Sequence, residues 1–263
     1  MDGFDSITQR AGSLRADPRL ILATDLDGTF LGGSAQDRRA LYEWVRTQPD
    51  VGLIFVTGRD PAFIGDLCRT QDVPEPDYVI GDVGTTIAEF RNGEVQPIPV
   101  LEEEIAARWH GMSDLAQERL APVNGLWLQR TPFRYRLSYE YDGRFDRAHL
   151  DVLTGLDVDI LVSHGCFVDI LPRGVSKGPS LLRLLDHLEL PRGRVLVAGD
   201  TLNDLSMFET GLHGAVVGGA EAELLAATAA LPRALHCRRV GAGGILEAIR
   251  AHALHPLTPE VFT

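Results

Sequence analysis

At 263 residues the chain exceeds a usual single domain, so two domains, or one domain carrying an insertion, is the starting expectation. Its apolar share of 44% is ample for a core, and no apolar run approaches the roughly 18 residues that span a bilayer. A formal charge of −12 argues against broad contact with nucleic acid or acidic lipid, and an anionic substrate would need local Lys, Arg or a metal to overcome that field.

Residues 1–19 alternate charged and small side chains without a central apolar block, which suggests a short N-terminal arm and not a secretory signal. Leu20-Ile21-Leu22-Ala23-Thr24 then predicts a buried strand running straight into Asp25-Leu26-Asp27-Gly28-Thr29. Carboxylates at i and i+2 project to the same side of an extended segment. Two anions there are unfavourable unless a cation shares them or one keeps a proton. A plain Asp-Gly turn after a strand is the bland alternative.

Ser34 is a plausible cap for a helix to Thr47, with Leu41, Trp44 and Val45 at helical spacing. Val51 to Val56 predicts a strand buried on both faces, ending at Thr57-Gly58-Arg59-Asp60, and Pro61 opens another helix. Tyr78-Val79-Ile80 gives a third strand. Such alternation implies a parallel sheet with helices on both faces and ligands beyond the carboxyl ends of the strands.

The middle of the chain changes character. Arg91-Asn92-Gly93-Glu94 suits a hairpin turn, and Leu101 to Leu120 suggests one long helix. From Arg134 the residues alternate, with Tyr135, Leu137, Tyr139 and Tyr141 on one face and Arg134, Arg136, Ser138 and Glu140 on the other, as in a half-exposed antiparallel strand. A helix near Asp146 to Thr154 and strands Asp159 to Ser163 and Cys166 to Leu171 complete a small unit.

The first pattern resumes near Pro172. Ser176-Lys177-Gly178-Pro179 begins an amphipathic helix, which puts Lys177 at a positively polarised helix start. Val195 to Ala198 is a buried strand leading to Gly199-Asp200-Thr201-Leu202-Asn203-Asp204. A last strand at Ala215 to Val217 and helices over Ala220 to Ala229 and Gly244 to His252 close the sheet. Cys68, Cys166 and Cys237 are odd in number and scattered, which favours free thiols in a reducing, cytoplasmic setting over disulfides or a zinc site. Each of the four polar signals has a structural explanation as a cap or turn. Together they supply acidic ligands, a hydroxyl and a cation, the parts of a phosphoryl-transfer site.

In their order along the chain, Asp25-Leu26-Asp27-Gly28-Thr29, Thr57, Lys177 and Gly199-Asp200 with Asn203-Asp204 resemble the four motifs of the haloacid dehalogenase-like phosphohydrolases. The resemblance covers nearly the whole chain after Arg19. It implies an α/β, doubly wound parallel-sheet core with an inserted α+β cap domain. About 120 residues separate Thr57 from Lys177, so the cap belongs there: core at 1–98 and 172–263, cap at 99–171. The resemblance also implies Asp25 as nucleophile and Asp27 as general acid and base. Mg²⁺ would be held by Asp25, the Asp27 carbonyl, Asp200 and Asp204. Thr57, Gly58 and Lys177 would bind the phosphoryl oxygens, and Asn203 would orient Lys177 or the phosphate.

Within that cap class the chain is similar to sucrose-phosphate phosphatases, through Asp82-Val83-Gly84-Thr85-Thr86-Ile87, Arg136-Leu137-Ser138-Tyr139 and Asp169-Ile170-Leu171-Pro172. This similarity implies a disaccharide or glycosyl phosphate substrate, sucrose-phosphate-like or glucosylglycerol-phosphate-like. Gly84, Thr85, Arg134, Arg136, Ser138 and His164 are the candidate sugar contacts. A glycosyl-phosphate synthase is a candidate partner, and the expected state is a monomer or weak dimer. A phosphomutase acting on a hexose phosphate and a non-catalytic sugar-phosphate sensor are the alternatives.

Overall fold

Period-two burial along the strands builds the main sheet. Leu20 and Leu22 pack on one face with Leu41, Val45, Ile245 and Ile249, whereas Ile21 and Ala23 pack on the other with Leu181, Leu184 and Leu185. These contacts come from a computed structural model that describes residue 14 and residues 17–131, 134–163 and 165–259. Most of the expected N-terminal arm, and all of His164, lie outside the described residues.

The chain opens with β1 (Leu20–Thr24), α1 (Ala35–Thr47), β2 (Val51–Val56), α2 (Ala62–Thr70), β3 (Tyr78–Gly81), β4 (Thr86–Arg91) and β5 (Glu94–Pro97). An inserted stretch holds α3 (Pro99–Trp109), α4 (Met112–Leu120), β6 (Leu126–Leu128), β7 (Leu137–Tyr141), β8 (Val158–Ser163) and β9 (Phe167–Pro172). The remainder is α5 (Lys177–His187), β10 (Val195–Gly199), α6 (Leu205–Phe208), β11 (His213–Gly218), α7 (Ala222–Thr228), β12 (Ala234–Val240) and α8 (Ala242–Ala251). The eight-stranded sheet has the order β12-β11-β10-β1-β2-β3-β4-β5. It is parallel from β12 to β3, and β4 and β5 run antiparallel around the expected hairpin turn.

The inserted residues form an antiparallel sheet of order β6-β7-β9-β8. One face packs on Trp109, Ala116, Leu120, Leu150 and Leu153 to make a third apolar cluster. Helix α3 is shared, because its Leu101 and Ile105 pack with the main sheet while Trp109 belongs to the smaller unit.

Several local expectations need correction. The single helix over Leu101 to Leu120 is two helices, broken at Gly111, whose φ of +74° suits a residue without a Cβ. The helix near Asp146 is a short 3₁₀ turn, Arg147–Leu153, capped by the Asp146 side chain. The strand expected from Arg134 begins only at Leu137, and Arg136 and Ser138, expected on an exposed face, are buried. Strand β12 was not anticipated. Its charged residues Arg238 and Arg239 mask the alternation, as is usual in an edge strand. The expected α1 cap is present: the Asp37 N–H donates to the Ser34 hydroxyl at 3.1 Å.

Leu53, in the middle of β2, is fully buried. Leu53→Ala should therefore lower the unfolding free energy in urea titrations by about 2–5 kcal/mol. A loss below about 1 kcal/mol would contradict the packing of that strand.

Candidate active site

Three neighbouring strands deliver the site. The Asp25 N–H donates to the Ala198 carbonyl at 2.9 Å, extending the pairing of β1 with β10, so Asp25 and Asp200 leave the sheet side by side. On the other flank β2 ends at Val56 and leads straight into Thr57. Lys177 comes from the first turn of α5 and is fully buried.

The three hydrogens of the Lys177 ammonium are all used: Nζ donates to Asp25 Oδ1 at 2.7 Å, Asn203 Oδ1 at 2.8 Å and Asp204 Oδ1 at 2.6 Å. Asp204 Oδ2 accepts the Asp200 and Thr201 N–H groups at 3.0 and 3.1 Å, so Asp204 organises its own loop. The Thr29 hydroxyl donates to Asp200 Oδ1 at 2.6 Å. Gly28 has a φ of +79°, and a Cβ there would sit 2.2 Å from Asp200 Oδ2. Only glycine lets the turn pass so close to that carboxylate.

Burial pushes the Asp25 carboxyl up from its ordinary 3.8 to about 8; Lys177 pulls it down, and Asp204 and Asp200 push it further up. Burial alone would lower Lys177, but Asp204 and Asp25 overcome it and hold the ammonium above its ordinary value. Asp25, Asp200 and Asp204 each offer an oxygen within 4.8 Å of the others, a grouping that could hold a metal ion.

A cleft of about 510 Å³ opens over this cluster. From the main sheet it is lined by Asp25, Asp27, Thr57, Gly58, Arg59, Phe63 and Asn203; from the smaller sheet by Gln129, Arg136, Ser138, Ser163, Phe167 and Asp169, among others. Arg59 grips both Asp27 oxygens, donating from Nε at 2.6 Å and from Nη2 at 2.9 Å, and lies over the Phe63 ring at 4.2 Å.

The expected site residues thus divide. Asp25, Asp27, Thr57, Gly58, Asn203, Arg136 and Ser138 share one cleft, with Lys177, Asp200 and Asp204 gathered at its floor. Arg134 is not among the cleft-lining residues and pairs with Glu102. Gly84 and Thr85 also lie outside it: the Gly84 carbonyl accepts from Ser180 at 2.6 Å, and the Thr85 hydroxyl bonds the Asp82 carbonyl at 3.0 Å. Gly84 thus braces the turn against α5, and Thr85 closes the turn on itself. Sequence reasoning missed Arg59, Phe63, Gln129, Ser163 and Phe167 as cleft residues. For the last two, a signal was available in the alternation of β8 and β9, whose Ser163, Phe167 and Asp169 fall on the face opposite Val158, Val168 and Ile170.

Residues 18–253 match the family model described as sucrose-6F-phosphate phosphohydrolase. The chain is 42% identical over 234 residues to a glucosylglycerol-phosphate synthase of Pseudomonas anguilliseptica, covering 87% of this chain but only 30% of that relative. It is 30% identical over 254 residues to a mannosylfructose-phosphate phosphatase of Agrobacterium fabrum, covering 91% of this chain and 99% of the relative. Among solved structures, the sucrose-phosphatase of Synechocystis sp. PCC6803 in complex with sucrose and phosphate superposes with a TM-score of 0.80 at 28% identity, covering 90% of this chain and 98% of that one. With the carboxylate-rich cleft at the carboxyl ends of β1, β2 and β10, these matches establish that the chain belongs to the sucrose-6F-phosphate phosphohydrolase family of haloacid dehalogenase-like phosphatases.

Proposed function

We propose that the chain hydrolyses the phosphate ester of a disaccharide or small glycoside, with glucosylglycerol phosphate the first candidate, through an aspartyl-phosphate on Asp25 and with Mg²⁺ as cofactor. The observation that carries this reading is Asp25, pinned by Lys177 at 2.7 Å, on the floor of a cleft whose opposite wall is polar and aromatic. The relative named for glucosylglycerol phosphate supports that candidate, and the mannosylfructose-phosphate and sucrose phosphatases support the wider class. Residues 99–171 act as the cap over a core of residues 1–98 and 172–263, with α3 as a shared element.

In this mechanism Asp25 attacks phosphorus in line, the bond from phosphorus to the sugar oxygen breaks, and that oxygen takes a proton from Asp27. Asp27 then takes a proton from the water that attacks the acyl phosphate, which releases phosphate and restores Asp25. The Arg59 pair on Asp27 is about half exposed, so opening it costs at most about 1 kcal/mol and frees Asp27 for these transfers. The Thr57 hydroxyl and Gly58 N–H donate to the phosphoryl oxygens. Asn203 Oδ1 already accepts from Lys177 and from Thr201 at 2.9 Å, which turns its amide N–H₂ toward Gly58 and the same oxygens. Lys177, its hydrogens committed, holds Asp25 in place.

The donor set suits a hard divalent cation, since three clustered carboxylates face one lysine. Asp25, Asp200 and the Asp27 carbonyl would hold Mg²⁺; Asp204, with both oxygens engaged, would act through the loop it organises. When bound, the ion supplies positive charge against the nucleophile and the transferring group. Phe167 and Ser163 on the cap wall would meet the sugar.

The direct test is phosphate release from a panel of glycosyl phosphates with and without Mg²⁺. Glucosylglycerol phosphate or a related glycoside should turn over only with the cation, and Asp25→Asn should retain no more than a trace. Appreciable turnover by Asp25→Asn would remove the nucleophile assignment, and an isomerised sugar phosphate in place of free phosphate would favour a mutase. Phe167→Ala should raise KM for the glycoside and leave that of a small ester unchanged.

A pH-dependent stability effect follows from Asp25. Its carboxyl binds a proton more tightly folded than unfolded, so its contribution is present below pH 4 and is lost as pH rises toward about 8. In chelator, the stability of Asp25→Asn relative to the native chain should grow over that window. Mg²⁺ should raise the native melting temperature more at pH 8 than at pH 5, and not that of Asp200→Asn. Equal shifts in both proteins would refute the metal site.

A further inference from the structure

We propose that Arg136 is a positioning residue: a latch from the cap that sets the Thr57-Gly58 turn through the Gly58 carbonyl and Asp82. This deepens the phosphatase reading of the same cleft and rests on it. It also changes the role expected of Arg136, from sugar contact to tie between the two units.

The Arg136 side chain is almost completely buried and its fork divides between the two sides. Nη1 stays on the cap, donating to Asp169 at 3.0 Å and to the Ser138 hydroxyl, which itself bonds Asp169. Nη2 crosses to the core, donating to the Gly58 carbonyl at 3.2 Å and to Asp82 Oδ1 at 3.2 Å. One planar group thus bonds two carboxylates and the backbone of the turn that faces the phosphoryl group.

The core side of the latch is a strained turn. Asp82 and Val83 have φ of +51° and +58°, a region costly for a β-branched residue. The conformation is held from several directions: the Asp82 N–H donates to the Arg59 carbonyl at 3.0 Å, and the Val83 N–H to the Thr57 carbonyl at 3.2 Å. Thr86 donates to Asp82 Oδ2 at 3.0 Å. Gly84, at φ +105°, packs so tightly that a Cβ would lie 2.4 Å from the Ser176 backbone, next to Lys177. The turn is therefore joined both to the Thr57-Gly58-Arg59 loop and to the start of α5, and strain of this kind persists only where its surroundings over-determine it.

Withdrawing the cap would remove Arg136 and strand Asp82, whose burial already favours its neutral form against the pull of Arg136. Closure restores the cation and fixes the Gly58 carbonyl, and with it the orientation of the neighbouring N–H groups. The phosphate-facing turn is thereby completed when the cap is shut.

Asp82 does not line the catalytic cleft, so Asp82→Asn weakens the latch without substituting any cleft-lining side chain. The native chain, Arg136→Lys, Asp82→Asn and the double variant should be assayed on p-nitrophenyl phosphate and on glucosylglycerol phosphate. Their radii of gyration should be measured by small-angle X-ray scattering, with melting curves as a check on folding. Each single variant should lose about 10- to 100-fold in kcat on both esters, the scale of a small misplacement of a reacting group. KM for the two esters should change in parallel, the double variant should be no worse than the poorer single one, and the variants should scatter as more open molecules. A loss confined to KM for the glycoside would make Arg136 a sugar ligand and overturn the latch. Native-like kcat for Asp82→Asn would overturn it too, as would multiplicative losses or an unchanged radius. If the native chain cleaves neither ester, the substrate reading fails, and the scattering comparison still decides the latch.

Discussion

A single buried ammonium organises this molecule. Lys177 bonds Asp25, 152 residues earlier in the chain, and Asp204, 27 residues later, from a position with no exposure to water. Removing one member of such a group leaves an uncompensated buried charge, which costs on the order of 3–5 kcal/mol. The first turn of α5, the end of β1 and the loop after β10 are therefore fixed relative to one another by charge as well as by packing. Stability and the proposed chemistry draw on the same contacts.

The sheet makes that convergence possible. Strands β10, β1 and β2 are consecutive neighbours and parallel, so their carboxyl ends present three loops spaced by little more than a strand width, about 4.8 Å. Gly28 lets the first loop approach Asp200, and Asp204 gathers two N–H groups of its own loop. The inserted unit enters after β5 and returns at α5, so its second connection leads directly to Lys177. The last strand of the smaller sheet, β9, is thus separated from Lys177 by only a short connection.

Much of this could be read from residue order. The apolar runs at Leu20, Val51 and Val195 are long enough and bounded sharply enough to specify buried strands, and the polar residues after them fall at the rim that binds ligands. Other features depend on three-dimensional neighbours that sequence does not list. Alternation from Arg134 onward separates two faces but does not say which is covered, and of the polar face Arg136 and Ser138 are buried against the cleft. Gly84 belongs to a family-like pattern, and in the fold it packs against the start of α5. Arg59 sits beside an anticipated threonine, yet its grip on Asp27 crosses 32 residues and leaves no local signature.

Charge balance ties these observations together. Among the described residues the arginines lining the cleft are Arg59 and Arg136, and each is engaged with carboxylates, the first with Asp27 and the second with Asp82 and Asp169. Lys177 is shared by Asp25 and Asp204 beneath them. A phosphate ester entering a chain of net charge −12 therefore meets cations already matched by acids. Two kinds of change can admit it: opening an exposed pair such as Arg59 with Asp27, or adding positive charge among Asp25, Asp200 and Asp204. The proposed mechanism uses both. It leaves the Arg136 pairs, which are buried and would be costly to break, to hold the cap and core together.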